Sequence, residues 1–132
     1  MTRGYQPDWD GDRLWGEEGE QYIRDLIDRP WEAKRKSYID SSFYVELEQD
    51  PGATGQHWKP SGLVTTKAEN MFFVVAETGI IVIFPTVLLR AAISRNLGKN
   101  AAETDGDCPT RGKLLDLDQV LWFAKKSGWT GV

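Results

Sequence analysis

Residues 71–84, MFFVVAETGIIVIF, decide the fold. Two β-rich apolar runs, Met71–Ala76 and Ile80–Phe84, flank Glu77-Thr78-Gly79. The pair Thr78-Gly79 is a hairpin turn signal. Unbroken apolarity on both sides of it predicts central strands buried on both faces. Immediately upstream, residues 61–70 (SGLVTTKAEN) read as the entry to a helix, with Thr65 or Thr66 as cap and Glu69 three or four residues on. Further upstream, residues 43–49 (FYVELEQ) alternate, with Phe43, Val45 and Leu47 on one face and Tyr44, Glu46 and Glu48 on the other. Residues 31–36 (WEAKRK) alternate as a shorter strand, and Asp50 to Gly62 is a loop rich in Pro and Gly.

From Asp12 the period becomes helical, with Leu14, Tyr22, Ile23, Leu26 and Ile27 as the apolar stripe and Pro30 as the stop. Residues 1–11 read as an irregular arm. Downstream, Pro85 opens a helix over 86–96 with Leu88, Leu89, Ala92 and Ile93 as its face. Residues 98–112 read as a polar loop, and a last helix spans about Leu117 to Lys126. This order predicts one α+β (or α/β) domain over residues 1–132, a central mixed sheet flanked by helices. Residues 12–96 are its core and 97–132 a C-terminal extension.

With 40% hydrophobic and 27% charged residues, the chain reads as a soluble globular domain, and its six Trp predict a core with aromatic weight. No apolar run is long enough to span a bilayer, and no apolar leader opens the chain, so a cytoplasmic location is expected. Cys108 is the sole cysteine, which leaves no internal disulfide and reads as an incidental loop thiol. His57, between Gln56 and Trp58, reads as an exposed loop residue. Net charge is −4, so no overall basic excess advertises nucleic acid. A local basic stripe does exist, in Arg29, Lys34, Arg35 and Lys36.

Chemistry concentrates in the two alternating strands. Residues i and i+2 share a strand face, so Glu32 points with Lys34 and Glu46 with Glu48. If the two strands pair, three acids and a lysine meet on one surface, an arrangement that calls for a divalent cation or a substrate. Glu20, three residues before Ile23 and seven before Ile27, falls on or beside the buried stripe of the first helix, where a carboxylate needs a reason. Phosphodiester hydrolysis needs such a set. Carboxylates hold Mg²⁺, which activates water, and a lysine stabilises developing charge. Glu20, Glu32, Lys34 and Glu46 supply it, with Glu48 as a further carboxylate, and the basic run Arg29 to Lys36 would hold the substrate backbone.

These residues carry a resemblance. WEAKRK, Gly19-Glu20 before it, YVELEQ after it and KPSGLVTTKAENMFFVV (59–75) resemble, in that order, the PD-(D/E)XK nuclease superfamily. They look most like its small phage and actinobacterial, Holliday-junction-resolvase-like members. The resemblance covers roughly residues 14 to 93. It implies a restriction-endonuclease-like core and a metal-dependent DNA nuclease of phage or bacterial DNA processing, using Mg²⁺ or Mn²⁺. Glu20, Glu32 and Glu46 would be its metal ligands, and Thr65, Thr66 and Lys67 would enter beside the site. Two registers fit. Glu32-x-Lys34 is the Glu-x-Lys pair, or Glu32 takes the preceding acidic position and Glu46-Leu47-Glu48 is a Glu-x-Glu variant. A homodimer would suit cutting both strands of a duplex. Two other readings compete: a solvated sheet face with cross-strand Glu–Lys pairs, and the same fold kept as a non-catalytic nucleic-acid- or protein-binding module, such as a phage accessory or anti-defence factor.

Overall fold

The computed structural model describes residues 9–36, 38–104 and 106–129, with side chains from residue 16 onward. Residues 1–8 and the side chains of Trp9, Leu14 and Trp15 lie outside the described residues; the helix expected from Asp12 begins at Trp9, so residues 9–11 of the expected arm are helical and Asp12 stands inside the helix. Two units are distinguished among the described residues, 9–29 and 30–129.

The first unit is helix α1, Trp9–Asp28. Its surface is held by neighbours one turn apart: Arg24 pairs with Glu20 at 3.5 Å, and Gln21 donates to Asp25 at 2.8 Å. Leu26 is buried, whereas Tyr22, Ile23 and Ile27 of the expected stripe are exposed. Glu20 is exposed as well.

The second unit follows in the order β1 (Trp31–Lys36), β2 (Ser42–Gln49), β3 (Lys59–Pro60), a single 3-10 turn (Gly62–Val64), β4 (Asn70–Val75), β5 (Ile81–Pro85), α2 (Thr86–Ser94), β6 (Lys99–Glu103), β7 (Thr110–Asp116) and α3 (Leu117–Lys126). The architecture is α+β. One sheet has the order β1-β4-β5, with β1 parallel and β5 antiparallel to β4, and is mixed. The other, β3-β2-β7-β6, is antiparallel throughout. The alternating strands around Glu32 and Glu46 therefore do not pair. Strand β1 takes β4 as its neighbour and β2 takes β7 and β3, so the expected single surface of three acids and a lysine is not formed between them.

The core lies between these sheets. Phe43, Val45 and Leu115 come from the antiparallel sheet, and Met71, Phe73 and Phe84 from the mixed one. Leu88, Leu89 and Ala92 of α2 and Val120 and Phe123 of α3 complete it. Phe43, Phe73 and Phe84 form a triangle of edge-to-face rings with centroids 5.3–5.6 Å apart. Such pairs add about 0.5–1.5 kcal/mol each beyond the area they bury.

The 71–84 hairpin forms as its sequence predicts. Val75 N–H donates to the Ile80 carbonyl at 2.9 Å, and Thr78 Oγ1 accepts from Ile80 N–H at 3.1 Å. Its burial is one-sided, however. Met71, Phe73 and Phe84 face the core, while Ile81 and Ile83 are exposed on the other face, and β5 is an edge strand.

Two segments differ from expectation. Residues 61–70 make a single 3-10 turn and then an irregular run rather than a helix. Residues 98–112, expected as a loop, contain β6 and the start of β7. The first helix after Pro85 and the last helix stand where predicted. The last carries a capping box on Asp116, which accepts from Asp118 N–H, while Gln119 accepts from Asp116 N–H. Strand β2 bulges between Glu46 and Glu48, where its register against β7 shifts by one residue. At that point Gly112 lets the strands close in, since a Cβ on it would lie 1.9 Å from the Val45 carbonyl oxygen.

Candidate active site around the Glu32–Lys34 strand

On β1 the side chains alternate as the sequence predicts. Glu32, Lys34 and Lys36 are the less exposed row, set beside Met71, Phe73 and Val75 of β4. Charges pointing inward on an edge strand discourage other strands from pairing there. Here they also place Glu32 and Lys34 together, with Oε1 to Nζ at 3.6 Å. That is an ion pair, too long for a good hydrogen bond. Glu32 Oε2 is shielded from solvent and has no hydrogen-bond partner. A shielded, unpaired carboxylate oxygen costs free energy, and such an atom in a folded protein calls for a role.

The segment 61–70 runs between the two sheets. At one end Ser61 N–H donates to the Leu47 carbonyl at 2.9 Å. Gly62 lies so close to Glu46 that a Cβ would meet its carbonyl oxygen at 2.3 Å, and its φ of +56° is a left-handed conformation that suits glycine. In the middle, Arg90 of α2 donates to the Leu63 carbonyl at 3.0 Å and to the Thr66 carbonyl at 2.7 Å. At the other end Glu69 N–H donates to the Pro30 carbonyl at 2.7 Å, and Thr86 N–H to the Glu69 carbonyl at 2.9 Å. Thr65, Thr66 and Lys67 are thereby held on the run that reaches the start of β1. Ser61 and Thr86, which flank this segment, are both buried with unpaired hydroxyl oxygens. The sequence reading passed over Ser61, Thr86 and Arg90 as functional residues. Only Ser61-Gly62, inside the resembling stretch, carried a signal.

The other predicted residues are dispersed. Glu46, on the face of β2 opposite Val45, neighbours Tyr44. Burial pushes the Tyr44 phenol up. The Thr110 hydroxyl, hydrogen-bonded at 2.8 Å, opposes this, and Glu103 and Glu46 add to it. Glu48 receives the Arg111 guanidinium on both oxygens, at 2.9 and 3.4 Å, and that guanidinium lies 4.2 Å from the centre of the Trp58 ring. Beside them an open groove of about 550 Å³ is lined by Leu47, Asn100, Ala102 and Lys113 among others. Lys36 is buried, bonded to Asp40 and to the Tyr38 carbonyl, and is withdrawn from the surface basic row. Arg35 and Lys67 are exposed, as is Arg29 on the first unit.

Among the described residues no three His, Cys, Asp or Glu side chains come together as a metal cage. Mg²⁺ does not require one. It keeps several waters and takes one or two carboxylates together with substrate phosphate. A hard carboxylate oxygen with no other partner, as on Glu32, is a donor of the right kind. Cys108 Sγ lies 3.6 Å from Gln49 Oε1 and His57 is exposed, and neither is part of this site. Among the described residues no helix is long and apolar enough to cross a membrane. No protein-family model, curated protein or solved structure matches the chain.

Proposed function

We propose that the chain is a metal-dependent DNA nuclease that hydrolyses phosphodiester bonds at the Glu32–Lys34 strand. One observation carries the reading: Glu32 holds a shielded oxygen with no partner, beside the Lys34 ammonium, on a strand flanked by the 61–70 segment. Glu32 would hold Mg²⁺ or Mn²⁺, which lowers the pKa of an attacking water and polarises the phosphoryl group. Lys34 stabilises the negative charge that develops on the phosphoryl oxygens. Lys67 and the Thr65 hydroxyl, both exposed, hold the DNA backbone. The test is a cleavage assay on linear, nicked and branched DNA with Mg²⁺, Mn²⁺ or EDTA. Wild type cuts only with metal and Glu32→Ala does not cut. Equal cutting by the two would remove Glu32 from the site.

A second reading, a non-catalytic nucleic-acid-binding module, is favoured by the dispersal of the acids. Glu48 is taken by Arg111 and Glu20 faces Arg24. Its signature is DNA binding that persists in EDTA and in Glu32→Ala but weakens in Arg35→Glu.

A further inference from the structure

The antiparallel sheet turns one face to the core, and that face is covered along only part of its length. Residues directly opposite each other in antiparallel strands share a face. Phe43 and Leu115 are opposite each other and buried in the core. In the next row Val45 is opposite Lys113, which is opposite Asn100 on β6. The row after that is Glu48, Arg111 and Ala102. Val45 is buried, whereas Asn100, Ala102 and Arg111 are exposed, and Lys113 and Glu48 are half-buried. The core face therefore opens, past Val45, into the groove of about 550 Å³. Two kinds of chemistry meet there. Lys113 Nζ donates to Asn96 Oδ1 at 3.0 Å, a neutral partner that leaves the ammonium charge uncompensated. Arg111 differs: Glu48 accepts from it on both oxygens, at 2.9 and 3.4 Å, which neutralises its charge and fixes its plane. The guanidinium lies 4.2 Å from the centre of the Trp58 ring, and Arg111 is the member of that stack that lines the groove. The groove thus offers a flat stacking plane and, two residues along β7 or about 7 Å away, a cation.

We infer that this groove binds a nucleotide, with the phosphate on Lys113 and the base stacked on the Arg111 guanidinium. Bases stack on arginine planes as they do on aromatic rings. A lysine ammonium serves a phosphate as a point charge. A nucleotide carries both groups, joined by one sugar that bridges the step from Lys113 to Arg111. An inorganic anion has no use for the stack, and an apolar ligand has none for the ammonium. Asn100, beside Lys113, adds amide donors and an acceptor for the phosphate or the sugar. A free nucleotide and a nucleotide within a single strand present this same chemistry. The groove belongs to the antiparallel sheet, whereas Glu32 and Lys34 stand on the mixed one, so binding here does not rest on cleavage there.

The test uses the full chain, isotope-labelled, in EDTA, so that no metal-dependent cutting intervenes. Deoxyadenosine monophosphate is titrated in and followed by NMR. Resonances of Asn100, Ala102, Arg111 and Lys113 and of the Trp58 indole should move. Deoxyadenosine and inorganic phosphate, each with one of the two groups, should bind about tenfold or more weakly. Lys113→Met should weaken the nucleotide by about tenfold and leave deoxyadenosine unchanged. Arg111→Lys keeps a cation opposite Glu48 and removes the plane, so it should weaken nucleotide and deoxyadenosine alike. Both variants should keep the circular dichroism spectrum. A single-stranded oligodeoxyadenylate that binds the same residues more tightly than the monophosphate identifies a strand as the source, and equal or weaker binding identifies the free nucleotide. Three results would overturn the inference. One is no movement of the groove resonances with any nucleotide or strand. Another is nucleotide binding indifferent to both variants, which places it elsewhere. The last is N-acetyltryptophan, an aromatic carboxylate, binding as tightly as the nucleotide, which makes the groove a peptide site.

Discussion

Glu32 and Lys34 stand 3.6 Å apart on the inward side of an edge strand, and the second oxygen of Glu32 is shielded without a bond. The pair is part-exposed and contributes at most about 1 kcal/mol to stability. Glu32→Gln keeps the shape and removes the charge. Cleavage should disappear while the melting temperature moves by no more than a few degrees, as scanning calorimetry can measure. Unfolding of this variant would assign Glu32 to structure instead.

The two close approaches at glycine predict the largest losses. Gly112→Ala drives a methyl into the Val45 carbonyl, and Gly62→Ala drives one into Glu46 from a strained backbone. Each should cost about 1–3 kcal/mol or more in urea unfolding. Gly19→Ala in α1 meets nothing within 4 Å and should stabilise by about 0.5–1 kcal/mol.

Lys36 contributes to the pH dependence of stability in acid through Asp40. Hydrogen bonds from Lys36, then from the Ser42 hydroxyl and amide, hold the Asp40 carboxyl at about 2, below its usual 3.8. A carboxyl depressed in the folded state stabilises it above pH 3.8, and that contribution drains away as pH falls toward 2. Lys36→Met should return the Asp40 titration toward 3.8 by NMR and flatten the pH dependence in that window.

Arg111 links Trp58 to Glu48. A double-mutant cycle of Trp58→Ala and Arg111→Met should show a coupling of about 0.5–1 kcal/mol, the worth of a partly exposed cation on an indole face. Zero coupling would reduce the stack to adjacency.

The 71–84 hairpin and both later helices were legible because their signals are local: a turn pair between apolar runs, a proline at a helix start, and Lys125 and Lys126 at a helix end. The register of β1 was not. Its neighbour in sequence is β2, but its partner is β4, 39 residues further on in the pairing of Trp31 with Asn70. Residues 61–70 have helix-capping letters, yet their amides serve tertiary bonds from Ser61 to Leu47 and from Glu69 to Pro30. Strand β6, Lys-Asn-Ala-Ala-Glu, lacks β-branched residues altogether and is a strand only because β7 lies beside it. In the site, Glu32 and Lys34 were readable from period two alone. The separation of Glu46 from them depends on which sheet each strand joins, which periodicity does not encode.

The parallel pairing of β1 with β4 also sets an order of events in time. Two parallel neighbours cannot be joined by a tight turn, and the ends of a long intervening loop must meet before any contact repays the lost entropy. The 71–84 hairpin closes within a few residues and can form early. Strand β1, made first on the ribosome, must wait for residues 70–75 to emerge before it has a partner. The Glu32–Lys34 row is thus assembled late, on a template that its own sequence neighbours do not provide, and nascent chains cut short of Val75 should lack it entirely.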